Sequence, residues 1–544
     1  MASKGHILRS TSVIALVTVI SRICGYLRDQ RIALLLGTTP VADSFVLAFR
    51  IPNLIRRMTG EGSLGASLVP VFSGYLRNRS RAETWAFARR VFWDLALFLL
   101  VLSVLGVVFS RQVVQVFTIF GGNHAHWELA VYLNRIIFPA VIFIGLAGVT
   151  AALLNSFHVF GLPAATPIFF NLTLIAFSFG LIYRPILRWL PAAYHTPAVA
   201  LAVAILVGAA IQLAVQVLAL VRRGMDFTPA LSLSDPGVQT VGRLMGPAFF
   251  GMGVYQINMV IDMVFAASSR MPSGSITSLY VADRIMQLVL GSYAIAMSTA
   301  LLPTMSGQIA AGKLGEMKHT FGFALRIVSF ITVPAAVGLI FLRRPIVQVL
   351  FQHGQFLAES TALTARALFY YSLGLPAFAA IKLITPMYYS VQDTWTPARV
   401  GAWSLLINVA LNSIFLLFFV RTLSNGSPAL ASSLAAYFNF GMLFMLFRRR
   451  YGRMGGRDLA GSFVRMAACA AAMGAIAYAA LALSHFGDAR HVLTQVGLLV
   501  MMIAASVAAY FGLAWLLRCE ELSEVFLLLR RPEPNLASAA GGEI

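Results

Sequence analysis

Apolar runs long enough to cross about 30 Å of hydrocarbon as a helix, roughly 20 residues each, recur along the whole chain. About fourteen can be counted at that length: residues 10–37, 41–74, 88–110, 128–155, 162–183, 197–221, 238–268, 275–303, 321–342, 362–389, 398–420, 427–447, 460–485 and 492–517. The pattern predicts an all-α polytopic membrane protein. An even number of crossings returns the chain to its starting side, so both termini share one face. The second run is interrupted at Gly60-Glu61-Gly62, where two glycines flank a carboxylate, and Pro52 within it removes a backbone hydrogen bond; a bent or split span is expected there.

Composition agrees with lipid as the solvent. Of 544 residues, 59% are hydrophobic and 11% charged, with a mean hydropathy of +0.81. The balance of 41 Lys+Arg against 20 Asp+Glu, a net +21, would suggest nucleic acid in a soluble protein. Here basic loops explain it better, and neither a zinc-finger spacing nor an RNA-binding motif is present. The runs Arg77 to Arg90 and Arg448 to Arg457, with Arg222-Arg223 and Lys313/Lys318, all follow even-numbered spans. By the positive-inside rule those loops and both termini are cytoplasmic, and the same runs touch anionic lipid. Arg343-Arg344 is the main exception. Cys24, Cys469 and Cys519 are isolated and make neither a disulfide framework nor a metal site. The basic, apolar N-terminus is expected to be a spanning helix rather than a signal peptide, because no small-residue cleavage site follows it and Arg22 and Arg28 continue it.

Charge is concentrated where it is most expensive. Between Ser21 and Gly62, Arg22, Arg28, Arg31, Arg50, Arg56 and Arg57 outnumber Asp29, Asp43 and Glu61 inside membrane-length sequence. A charged side chain at bilayer depth costs a few kcal/mol or more, so it faces a protein-lined or watery cavity. The excess of fixed positive charge, with no evident partner in the chain, asks for an anion; guanidinium groups grip phosphate oxygens in a bidentate fork. Arg22 and Arg28 lie about 9 Å apart along an ideal helix but about 120° round it, unless Gly25 lets the helix deviate. Arg22 and Asp29, seven apart, share a face, which makes Asp29 a candidate internal partner of Arg22.

An internal repeat is visible as well. VADSF at 41–45 and SLGASLVPVFSG at 63–74 are echoed by VADRI at 281–285 and SYAIAMSTALLPTMSG at 292–307. Ser156, Pro163 and Asn171 are echoed by Ser390, Pro397 and Asn408. Both offsets span six helices, so two six-helix lobes repeat in parallel orientation about an axis along the membrane normal. The expected organisation is a first lobe over 1–222, a second over 223–450, a helix pair over 451–518 outside the duplication, and a cytoplasmic tail over 519–544.

The strings SRICGYLRD, ADSFVLAFRIPNLIRRMTGEGSLGASLVPVF, YVADRIMQ, FQHGQF (351–356) and YYSVQDTWTP (388–397) closely resemble the MurJ (MviN-type) lipid II flippases of bacterial peptidoglycan synthesis, within the multidrug/oligosaccharidyl-lipid/polysaccharide exporter superfamily. The resemblance covers essentially the whole chain. It implies fourteen helices around a central cavity that opens alternately to each side of the inner membrane. It also implies Arg22, Arg28 and Arg56 as substrate-site arginines of the first lobe and Arg284 of the second. Ser21, Asp43 and Glu61 fall on positions that resemble functional ones, with Asp29 and Asp283 beside the arginines as supports. The substrate would be lipid II, its pyrophosphate head group in the cationic cavity and its polyprenyl tail in a groove of the last two helices, with the cell-wall synthesis machinery as a partner. Some relatives carry a sodium site, the one candidate cofactor, and Asp262, Asn408 and Asn412 resemble its ligands. Asn412, however, stands where a carboxylate is expected, which weakens a hard-cation site; a hydrogen-bonded helix contact is the alternative. No HExxH, GxSxG, Walker sequence or paired Cys/His cluster points to an enzyme, and His353 is expected to cap a re-entrant or loop turn. The competing readings are an exporter of another lipid-linked oligosaccharide or of a drug, and a non-transporting cell-wall scaffold. An organic-cation cavity would be acidic and aromatic rather than rich in arginine.

Overall fold

The computed structural model describes residues 4–58, 64–120, 124–180, 196–232, 234–452, 456–484, 486 and 491–524. Every regular element among them is helical: α1 (Lys4–Leu36), α2 (Pro40–Met58), α3 (Leu64–Asn78), α4 (Arg81–Val108), α5 (Ser110–Phe117), α6 (His124–Ile137), α7 (Ala140–Ser156), α8 (Gly161–Ser178), α9 (Pro197–Val221), α10 (Pro236–Ala266), α11 (Ser275–Ala310), α12 (Leu314–Phe351), α13 (Ala358–Ser390), α14 (Trp395–Ile414), α15 (Val420–Leu423), α16 (Ser427–Tyr451), α17 (Gly456–Leu483) and α18 (Val492–Leu516). A π-turn over Phe415–Phe419 joins α14 to α15. Bilayer-spanning backbone must satisfy its polar groups internally, which is why the apolar runs fold this way.

Eight described helical stretches are long and apolar enough to cross a membrane, with the 57 residues of 395–451 (α14 to α16) counted as one, and nine if α6 and α7 count as one span. That is short of fourteen. One reason is visible in α2, which carries Asp43, Arg50, Arg56 and Arg57, so the helix bearing much of the candidate chemistry is too charged to pass as an apolar span. The run expected as one span over 128–155 is the pair α6 and α7, long and apolar enough together and bent by 40°. Pro139 stands at the break and cannot donate to the helical ladder. In the 41–74 run, α2 stops at Met58 and α3 starts at Leu64, with Pro52 inside α2; Gly60-Glu61-Gly62, where a break was expected, lies outside the described residues.

Two compact units divide the chain. The first comprises 1–281, 351–363 and 412–428, the second 282–350, 364–411 and 429–544. In the first, α1 lies on α8, α8 on α9, α9 on α7, α2 on α6 and α3 on α7. The loop before α10 is tied to α4: Arg89 pairs with Asp226 at 2.6 Å, Arg90 with Asp235 at 2.5 Å, and the Trp93 indole donates to the Phe227 carbonyl at 3.1 Å. Asp235 also caps α10 by accepting from the Gly237 and Val238 amides. In the second unit, Met466, Cys469 and Met473 of α17 and Tyr510 and Ala514 of α18 bury against Phe330 of α12. Glu521, fully buried, accepts from Ser462 at 2.7 Å and holds the turn after α18 on that face. Large apolar side chains stay exposed on the outer faces, among them Phe98, Val104, Trp403, Phe418 and Leu493. A soluble protein would bury such surface; lipid tails cover it at no cost.

Candidate functional site

In the first unit, Arg28 on α1 is buried, with only 8% of its surface exposed. Its guanidinium does not stand alone. Nε and Nη2 both donate to Oδ1 of the neighbouring Asp29, at 3.0 and 2.6 Å, and Nη1 donates to Asn171 Oδ1 on α8 at 2.9 Å. Asn171 uses its own amide hydrogens on the Ser21 carbonyl at 3.3 Å, so one α8 side chain bridges two points on α1 seven residues apart. Asp29 is also approached by the Tyr280 hydroxyl of α11 at 3.2 Å. Arg50 on α2 meets the same tyrosine, its guanidinium carbon 5.2 Å from the centre of the Tyr280 ring. An arginine over an aromatic face keeps its charge while losing water, by the ring's quadrupole. Arg31, one turn after Arg28, donates from Nε to Ser178 Oγ at 3.1 Å and stacks 4.1 Å over Phe179.

This corrects one expectation. Arg28 has partners in the chain: Asp29, the candidate partner of Arg22, accepts from Arg28 and from Tyr280. The excess of charge is smaller than the sequence implied but does not vanish. Arg22, Arg28, Arg31 and Arg50 still outnumber Asp29 and Asp43, and Asp43 acts on backbone rather than on an arginine. Its Oδ2 accepts from the Gly274 amide and its Oδ1 from the Thr277 amide, each at 2.8 Å, with the Thr277 hydroxyl at 2.7 Å. Those amides sit at the start of α11, where helix N–H groups lack internal partners and the dipole favours an anion. Asp43 is therefore a helix cap supplied from another helix.

The remaining predicted residues fall as follows. Arg22 is exposed on α1 and Ser21 beside it is half-buried. Arg56 lies on the last turn of α2, and its side chain and the whole of Glu61 are outside the described residues. Arg284 is half-buried on the part of α11 that belongs to the second unit, next to buried Asp283, whose Oδ2 accepts from Gln287 at 2.7 Å. The structure thus brings together Arg28, Asp29 and Ser21 with Arg50 and Arg31 of the same arginine-rich stretch, and adds Asn171 and Tyr280, which sequence reasoning had not placed in the site. A lone Asn in the apolar run 162–183 was the available signal for Asn171.

The residues resembling a sodium site take part in hydrogen bonds. Asn412 turns its amide nitrogen to Asp262 Oδ1 at 3.2 Å, both buried, and Asn408 donates to Ser432 Oγ at 3.1 Å. Among the described residues, no group of three His, Cys, Asp or Glu side chains is arranged to hold a metal ion.

Comparison with known proteins bears on the whole arrangement. The family described as the lipid II flippase MurJ matches residues 32–497. A probable lipid II flippase MurJ of Vibrio cholerae serotype O1 is 33% identical over 81% of this chain and 82% of its own length. Another from Rhizobium tropici is 33% identical over 96% of both. Among solved structures, a lipid II flippase MurJ in an inward closed conformation superposes with a TM-score of 0.74 at 24% identity, over 92% of this chain and 98% of that one.

Proposed function

The chain belongs to the MurJ family of lipid II flippases, and from that premise we propose that it carries lipid II from the cytoplasmic to the periplasmic leaflet by alternating access. It is a multi-pass membrane transporter and not an enzyme. The observation that supports a diphosphate-bearing cargo is the set of arginines inside apolar helices, with Arg28 held at a fixed angle by Asp29 and Asn171. A diphosphate cannot enter hydrocarbon bare. Guanidinium N–H groups can replace its hydration shell, and pre-set ones do so without the cost of ordering a flexible side chain at the moment of binding. Three of the five N–H groups of Arg28 are engaged in the described contacts, which leaves two for a phosphate oxygen. Asp29 tempers the local charge, so the anion is held and also let go.

In this reading Arg22, Arg28 and Arg56 receive the head group from the first lobe and Arg284 from the second. The polyprenyl tail follows the α17–α18 pair in lipid, and both termini face the cytoplasm. Asp262, Asn408 and Asn412 act as helix contacts rather than sodium ligands. The test is lipid II flipping in vesicles with equal amounts of reconstituted protein. Arg22→Ala, Arg28→Ala, Arg56→Ala and Arg284→Ala each abolish it; normal flipping by all four would overturn the assignment.

A further inference from the structure

Arg343 and Arg344 break the rule that the other basic runs obey. They lie on α12 in the second unit, together with Arg366 of α13. Lys318, near the start of α12, donates to the Tyr451 carbonyl, beside the arginines that end α16. From Lys318 to Arg343 is 25 residues, about 37 Å of helix and more than a hydrocarbon core is thick. Arg366 stands 24 residues, about 36 Å, before the end of α13 at Ser390. Just past that end Asp393 pairs with Arg450 at 3.0 Å. Two helices thus carry three arginines to the head-group layer opposite the basic loops. An aromatic marker agrees: Phe341, two residues before Arg343, packs edge-on against Tyr478 of α17 with ring centres 6.3 Å apart, and Tyr478 is 64% exposed. Tyrosine, with an apolar body and a wet hydroxyl, is enriched at that depth.

None of Arg343, Arg344 and Arg366 makes an ion pair among the described residues. Arg343 is half-buried. Its Nη1 donates to the Ile340 carbonyl, and its guanidinium carbon lies 5.1 Å from the centre of the Phe369 ring on α13. An arginine at a helix end that meets only water stretches outward. This one turns back toward the hydrocarbon and is held against an aromatic ring, which favours the cation where it loses water. Arg366, three residues before Phe369, lies on the same side of α13, and Arg344 is exposed beside Arg343.

We propose that Arg343, Arg344 and Arg366 bind the phosphodiester of an anionic phospholipid in the periplasmic leaflet. The leaflet rests on the transport reading above, which puts the termini in the cytoplasm; the binding chemistry does not. Three guanidinium groups without a carboxylate carry a charge that the positive-inside rule keeps off this face. A lipid phosphate at head-group depth supplies the counter-charge. Arg343 uses one of its five N–H groups on Ile340, which leaves others for phosphate oxygens in the forked geometry that lysine lacks. Phosphatidylcholine offers the same phosphate with a positive charge beside it, so the site selects the anionic head group.

The test counts lipids on the full chain by native mass spectrometry, with dioleoylphosphatidylglycerol, dioleoylphosphatidylcholine or inorganic phosphate as the probe. The intact protein should hold at least one phosphatidylglycerol that the triple variant Arg343→Gln, Arg344→Gln, Arg366→Gln binds at least tenfold more weakly, while phosphatidylcholine binds both alike. Equal retention of phosphatidylglycerol overturns the proposal, and displacement of that lipid by inorganic phosphate at equal concentration overturns a phospholipid as the occupant. Should the glutamine variant lose its fold and bind neither lipid, Arg343→Lys with Arg344→Lys and Arg366→Lys decides: retention of the extra phosphatidylglycerol supports the site and its loss overturns it. Sidedness is read separately. Arg344→Cys, in a chain whose Cys24, Cys469 and Cys519 are replaced by alanine, should react with a membrane-impermeant maleimide added outside spheroplasts. Reaction from the inside alone overturns the periplasmic leaflet and the topology of the transport reading, while the lipid count, which needs no flipping, still judges the binding site.

Discussion

Removing Arg28 should damage the protein in two separable ways. In Arg28→Ala, Asp29, of which only 7% is exposed, loses two N–H bonds at 3.0 and 2.6 Å and keeps that from Tyr280. Breaking a buried ion pair from one side costs about 3–5 kcal/mol, mostly the penalty of the charge left behind. That is two to three or more orders of magnitude in the unfolding equilibrium, at about 1.4 kcal/mol per tenfold. Removing the carboxylate as well lifts the penalty, so Arg28→Ala with Asp29→Ala should recover most of the lost stability, a coupling of about 3 kcal/mol in a double-mutant cycle. Transport should not follow. If the guanidinium grips the diphosphate, the double variant folds well and still fails to flip lipid II. The assay pairs denaturant unfolding of the purified protein with flipping in vesicles. A double variant that regained both stability and transport would show that Arg28 serves only to neutralise Asp29.

Further outcomes rest on the same geometry. Asp43→Ala should cost about 2 kcal/mol in thermal unfolding, because the first amides of α11 lose a charged cap, and Asp43→Asn should cost less. Bonds from Arg89 and then Thr228 hold the Asp226 carboxyl below its ordinary range. A depressed folded value means that the contribution is present above the unfolded carboxylate range, near pH 4, and is lost as pH falls through the lower folded one. Amide exchange in the loop after α9 should therefore rise on acidification below about pH 4, and Asp226→Asn should remove that pH dependence. Replacing sodium by potassium or choline should leave flipping unchanged, and Asn412→Ala should cost only about 1 kcal/mol of stability, the size of a helix-to-helix hydrogen bond in a membrane; strict sodium dependence would contradict the helix-contact reading.

Much of the fold was legible because lipid imposes a simple rule: apolar runs of one length become helices. Where prediction and structure part, the cause is local. Pro139 bends the expected span between α6 and α7, which length alone cannot see because it does not register a missing amide. The Arg28–Asp29 contact escaped spacing rules, since adjacent residues on a helix do not face each other. The Arg28 side chain is long enough to fold back onto its neighbour, a reach that helical-wheel reasoning leaves out. Asn171 and Tyr280 come from helices 143 and 251 residues away from their α1 partners, and no spacing rule links them. The arginine-rich stretch itself was readable, because several charges within a membrane-length run are too costly to persist unless a cavity or a bound counter-charge holds them.

The central claim is that this chain moves lipid II between leaflets. The most direct measurement is leaflet-resolved labelling of lipid II in cells depleted of the protein. The account predicts that precursor accumulates on the cytoplasmic side and falls on the periplasmic side, and that restoring the intact chain, but not one lacking the four arginines, reverses both. An unchanged distribution on depletion would contradict it.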